Sequence, residues 1–259
     1  DLTAATLAGC SNNSIMDAMP HTTAMWSAAD ASVRASAKHP FLLAMLDGTL
    51  APAKFEYYIR QDSKYLLDFG LALRRLAALA GDEEEALALN NFADGADIAE
   101  RSLHASFFAA WRLDEDALAK DEQAPTTLAY TSFLLRCVAD GYREGLAALL
   151  PCFWVYHDVG VKMLELRATT YRDATRAPQL DAWIDMYGGD AFADAVKRYR
   201  ALVERAAAGA DDATRARMTY NFRRACDLEW MFWKAALDET RWPTYASAVP
   251  MVSMGSMDA

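Results

Sequence analysis

Leu66, Phe69, Leu73, Leu76 and Ala80 recur at steps of three and four, so one apolar stripe runs along a helix. No stretch alternates apolar and polar residues with period two for long enough to predict a strand. Proline is absent between Pro52 and Pro125 and between Pro178 and Pro243, which leaves long windows for uninterrupted helices. The pattern predicts helices over about 24–46, broken near Pro40 and ending at Asp47-Gly48-Thr49, then over 52–80, 83–111 and 125–140. Further helices are predicted over 143–167, 179–186, 190–208 and 212–238. Tyr187-Gly188-Gly189-Asp190 reads as a helix junction, with Asp190 as the N-cap of the following helix. No internal repeat and no linker divides the chain. The expectation is one all-α bundle over 23–245, with a leader or tag at 1–22 and a C-terminal tail at 246–259.

Composition strengthens the helical reading. The 259 residues include 52 Ala and 29 Leu against 9 Val and 4 Ile, and β-branched residues are the usual filling of strands. The net charge of −10 repels phosphate backbones and argues against nucleic acid as a partner. No apolar run approaches the roughly 20 residues of a membrane span. Cys10, Cys137, Cys152 and Cys226 follow no metal-site or disulfide-framework spacing, so a reducing, cytoplasmic setting is expected. Leu7-Ala8-Gly9-Cys10 spells a lipobox, yet Asp1 opens a nine-residue preface without the basic start and longer apolar stretch of a signal peptide.

Three stretches depart from a plain bundle. Tyr58, Asp62 and Tyr65 stand at i, i+4 and i+7, on one helix face beside Leu66 and Phe69. Asp62 is then either a surface acid between two half-buried tyrosines or a carboxylate held in an aromatic pocket for a ligand. In Leu149-Leu150-Pro151-Cys152-Phe153-Trp154-Val155-Tyr156, Pro151 removes a helix hydrogen bond and should kink the helix, while Cys152 and Tyr156 share a face. Spacing alone makes Cys152 inert filling, but a broken local rule directly before it is a feature of sites. Phe222, Cys226, Glu229 and Trp233 form a third stripe, which turns Glu229 into an apolar surrounding. Such a carboxyl is either paired, with Arg223 or Arg224 as the near candidates, or has a raised pKa as a general acid requires. Glu100 and His104 lie one turn apart and could ligate a metal, but a di-iron bundle needs more carboxylates and a second histidine motif than the chain offers.

At these residues the sequence resembles the TenA family, thiaminase II or aminopyrimidine aminohydrolase, of the haem-oxygenase-like superfamily. The likeness runs through His39-Pro40-Phe41, Asp47-Gly48-Thr49-Leu50, Tyr57-Tyr58, Gln61-Asp62-Ser63, Tyr130-Thr131-Ser132 and Leu149-Leu150-Pro151-Cys152. It continues through Trp154 with Tyr156, Val159-Gly160, Tyr187-Gly188-Gly189-Asp190, Asn221-Phe222 and Glu229 with Phe232-Trp233. The resemblance implies a haem-oxygenase-like helical bundle, assembly as a homotetramer, and a deep pocket for a 4-aminopyrimidine or thiamin, with no cofactor and no metal. It implies Cys152 as nucleophile, Glu229 as the catalytic glutamate, Asp62 as the carboxylate that grips the ring amino group, and Tyr65, Tyr130, Tyr156 and Tyr187 as pocket tyrosines. The sequence departs from the family at Asp227-Leu228, where some members carry tyrosines before the glutamate. Rival readings of the same bundle are a di-iron oxidase around Glu100 and His104 and a binding protein that holds the pyrimidine without turnover.

Overall fold

The computed structural model describes residues 20–111 and 122–244, with side chains over 20–98 and 122–244. Its helices are α1 (His21–Ala28), α2 (Asp30–Ser36), α3 (Pro40–Asp47), α4 (Pro52–Ala77), α5 (Glu83–Trp111) and α6 (Pro125–Asp140). They continue as α7 (Tyr142–Ala168), α8 (Pro178–Gly188), α9 (Asp190–Ala208) and α10 (Asp212–Asp238). No strand occurs among the described residues, and none of their helices is long and apolar enough to cross a membrane. The terminal segments expected as leader and tail, including Cys10, lie almost wholly outside the described residues; α1 begins at His21, just ahead of the expected start of the bundle.

Proline sets four of the helix starts. Pro40, Pro52, Pro125 and Pro178 each occupy a first-turn position, where a missing N–H costs nothing and the fixed φ suits the helix. At the start of α3 the buried His39 ring supplies the cap, its Nδ1 accepting from the Phe41 N–H at 3.1 Å. Burial lowers the His39 pKa to about 4, with Lys234 adding to the shift, so the capping imidazole is neutral. The predicted helix over 24–46 is in fact three helices. Besides the break before Pro40, the chain bends at Ala29, whose N–H is shared between the Met25 and Trp26 carbonyls. No proline or glycine announces that second break. Gly48 ends α3 with φ +79°, and a Cβ there would stand 2.1 Å from the Thr175 carbonyl oxygen. Asp190 is the first residue of α9 rather than its N-cap. Gly189 holds the cap position, and Asp190 instead places a negative charge in the positively polarised first turn.

Helix α7 is the axis of the bundle, packed against α6, α8, α9 and α10. Gly145 through Pro151 are all buried, the signature of a helix surrounded on every side. Pro151 sits inside this continuous helix and deprives the Ala147 carbonyl of its usual partner one turn ahead. Where α7 meets the end of α8 the backbones nearly touch. A Cβ on Gly160 would lie 2.5 Å from both the Gly188 nitrogen and the Tyr187 carbonyl carbon. Nearby, His157 Nδ1 lies 3.0 Å from the Tyr187 carbonyl oxygen, a second tie on the same segment. Gly160→Ala is therefore expected to push Tyr187 outward and to destabilise the fold by roughly 1–3 kcal/mol, the range for overpacked cores. Thermal denaturation checks this: an unchanged melting temperature would show that the two helices separate without cost.

Candidate active site

Three helices bring the singled-out residues to one cavity of about 430 Å³. Asp62 and Tyr65 come from α4, Cys152 and Tyr156 from α7, and Tyr187 from the end of α8. Their positions follow from local periodicity. Asp62 and Tyr65 are three residues apart, Cys152 and Tyr156 four, so each pair projects from one face of its helix. Asp62 is 3% exposed and the surrounding wall is mainly apolar and aromatic, so the carboxylate reading in an aromatic pocket prevails over the surface one.

Glu229 and Tyr130 are not among the residues lining this cavity; they stand behind it. Tyr130, 1% exposed, donates from its hydroxyl to Glu229 Oε1 at 2.5 Å, and Glu229 is itself 1% exposed. Neither arginine near Glu229 in sequence serves as its partner: Arg224 pairs with Asp227 at 2.8 Å, and Arg223 is exposed. With no cation among the described residues influencing it, the carboxyl responds to burial. Desolvation pushes the Glu229 pKa up to about 8, while the Tyr130 hydrogen bond opposes and the charge on Asp62 reinforces the shift. Glu229 therefore carries its proton at neutral pH. Tyr130, expected as a pocket tyrosine, hydrogen-bonds Glu229 and is not among the residues lining this cavity. Asp227, where the sequence departs from the family pattern, is also bonded to Ser32 Oγ of α2 and lies outside the cavity lining.

Cys152 rests as a thiol. Burial raises its pKa well above the ordinary value and the Glu229 carboxylate adds to the rise, while Tyr65 works in the opposite direction. The Tyr65 hydroxyl makes no well-aligned hydrogen bond, but it lies close enough to the sulfur to favour the thiolate. Its ring packs on Tyr130 at 4.9 Å and on Phe69 at 5.6 Å. Tyr156 packs on Tyr187 at 4.8 Å, so the walls next to Cys152 are rings on both sides.

Sequence reasoning did not single out the opposite wall, made of Asn91, Phe92, Gly95 and Ala96 of α5 and Phe192, Ala195 and Arg198 of α9. These residues continue ordinary helical stripes, and nothing in their spacing separates a cavity wall from core. Glu100 and His104 fall within α5, but their side chains lie outside the described residues. Among the described residues no cluster of three or more His, Cys, Asp or Glu could hold a metal ion.

Comparisons with known proteins identify the family. Residues 26–239 match the TENA/THI-4/PQQC family. The aminopyrimidine aminohydrolase of Bacillus subtilis is 34% identical over 205 residues, 79% of this chain and 84% of that protein. The aminopyrimidine aminohydrolase of Halalkalibacterium halodurans is 28% identical over 86% of this chain and 98% of its own length. Among solved structures, a TenA homologue from P. horikoshii OT3 superposes with a TM-score of 0.76 at 24% identity, over 85% of this chain and 99% of that one. With its helices in that fold and the family match covering most of its length, this chain belongs to the TENA/THI-4/PQQC family.

Proposed function

We propose that the protein is an aminopyrimidine aminohydrolase of the thiaminase II type. It would convert 4-amino-5-aminomethyl-2-methylpyrimidine, and thiamin where the mouth admits it, to the 5-hydroxymethyl pyrimidine. The observation that carries this reading is a buried carboxylate, Asp62, and a cysteine, Cys152, on one aromatic cavity, with the protonated Glu229 buried close enough to influence both electrostatically. Relatives named aminopyrimidine aminohydrolase support it. Asp62 accepts from the ring amino group, and the rings of Tyr65, Tyr156 and Tyr187 hold the pyrimidine plane.

The Cys152 sulfur forms a bond to the electron-poor ring carbon beside the ring nitrogen, and the thiol proton passes to that nitrogen through water. The ring electrons then expel the substituent on the exocyclic methylene. From the aminomethyl substrate, Glu229 protonates the amino group as the carbon–nitrogen bond breaks and ammonia leaves; from thiamin, the cationic thiazolium nitrogen takes the bonding pair and leaves as neutral thiazole without a proton. Water adds to the methylene, and its proton returns to Glu229 after ammonia loss or passes to solvent after thiazole loss. The sulfur–carbon bond breaks, the ring nitrogen gives its proton back to sulfur, and the hydroxymethyl pyrimidine is released. Every proton in this cycle is carried by a side chain or by water.

Ammonia release from the aminomethyl pyrimidine tests the reading, and its absence would overturn it. In the same assay Asp62→Asn is expected to lower kcat/KM about 10- to 100-fold, since a hydrogen bond to a charged group contributes roughly 1.5–3 kcal/mol. Near-wild-type kcat/KM in that variant would remove Asp62 from substrate binding. The same reading extends to assembly as a homotetramer in the cytoplasm; the exposed apolar Leu67 and Leu71, one turn apart on α4, are surface that a second copy could cover.

A further inference from the structure

Behind Tyr156 lies a buried polar contact that the reaction scheme leaves unused. Trp183 and Tyr58 are both 0% exposed, and the indole Nε1 of Trp183 donates to the Tyr58 hydroxyl at 3.2 Å. The Tyr58 hydroxyl in turn stands 3.5 Å from that of Tyr156, which lines the cavity. The chemistry of the first group orients the rest. An indole has a proton to give and no lone pair to receive one, so the Tyr58 oxygen must be the acceptor there. A phenol proton prefers the plane of its ring and has two positions in it; with one side occupied by the indole N–H, the proton turns to the other. The Tyr156 oxygen, 3.5 Å away, is its acceptor. Having accepted from Tyr58, Tyr156 has its own proton free to point into the cavity.

We propose that Tyr58, anchored by Trp183, is a positioning residue that makes Tyr156 a donor toward the bound pyrimidine. Asp62 offers acceptor oxygens in the same cavity and Tyr156 a proton, so the walls present an acceptor and a donor together. A ring bearing both an amino group and a lone pair on nitrogen satisfies both. Packing holds the geometry: the Tyr58 ring is edge-on to Trp183 at 6.3 Å, and Tyr156 packs on Trp233 at 5.2 Å. Leaving any of these buried hydroxyls without a partner would be unfavourable, which keeps the chain of bonds in one sense.

This inference rests on the pyrimidine-hydrolase reading, and a double-mutant cycle separates the two. Calorimetric titration with 4-amino-5-hydroxymethyl-2-methylpyrimidine gives Kd for wild type, Tyr58→Phe, Tyr156→Phe and the double variant, with melting temperatures confirming that each is folded. Tyr58→Phe is expected to weaken binding about three- to ten-fold in the wild-type background, the effect of one hydrogen bond, and not at all in the Tyr156→Phe background. Equal losses in both backgrounds would mean that Tyr58 acts by packing and would overturn the proposal. Unchanged or tighter binding by Tyr58→Phe would also overturn it, because Tyr156 would then have been donating outward to Tyr58. Failure of wild type to bind the pyrimidine would overturn the hydrolase reading and this inference together, whereas binding with an additive cycle overturns the inference alone.

Discussion

Cys152→Ala is expected to eliminate hydrolysis of the aminomethyl pyrimidine, lowering kcat by on the order of 10³-fold or more, with the helical fold intact. The size follows from what the sulfur does. Without a covalent bond to the ring carbon, the ring has no electron pair with which to expel the substituent, and water would have to displace an amine directly. The fold should survive because the substitution removes one sulfur atom from a wall that already borders a cavity. Among the described residues no cation beside the thiol favours its activation. Burial and Glu229 both raise its pKa, and Tyr65 works against them in favour of the thiolate. Transfer of the thiol proton must therefore accompany sulfur attack. Stopped assays for ammonia, with circular dichroism to confirm the fold, check the result; turnover within a few-fold of wild type would eliminate Cys152 as nucleophile.

Glu229→Gln is expected to reduce kcat by roughly 10²–10⁴-fold, the span for loss of a positioned general acid. Glutamine fills the same space and can still accept from Tyr130, so the loss isolates the proton. The pH dependence gives a second readout. Because the Glu229 pKa is raised to about 8, the carboxyl holds its proton below that pH and loses it above. The wild-type kcat should fall as pH rises through about 8, and the low residual rate of Glu229→Gln should lack that fall. Stability moves in the same direction. Between the ordinary value of 4.5 and about 8 the folded protein retains a proton that the unfolded chain has released. The unfolded state binds fewer protons in that window, so stability declines as pH rises across it, and the glutamine variant should show less of this decline. Denaturant titrations at pH 5 and pH 8.5 read the difference. A pH–rate profile with the same alkaline limb in both proteins would assign that limb to another group.

Most of the bundle was legible in the chain because helices are local objects. Steps of three and four, together with proline at Pro40, Pro52, Pro125 and Pro178, locate helices and their starts from neighbours within one turn. The break at Ala29 was not legible, since it depends on shared backbone hydrogen bonds rather than a marked residue type. Asp190 misled for a related reason: it is a good N-cap type, but helix α9 starts one residue earlier, with Gly189 at its cap.

The site divides along the same line. Sequence periodicity alone determined that Asp62 shares a face with Tyr58 and Tyr65, and that Cys152 shares one with Tyr156, because those pairings need only the geometry of one helix. Sequence by itself left Glu229 between two fates, an ion pair with a nearby arginine or a buried acid. Tertiary structure decided for the acid, by placing Tyr130, 99 residues away, against Glu229 and turning Arg224 to Asp227. It also supplied the α5 and α9 wall of the cavity, whose residues look like core in sequence. The physical reason is range. A helix face follows from bonds four residues apart, whereas desolvation of a carboxyl is the sum of everything packed around it, and that sum exists only once distant helices have met.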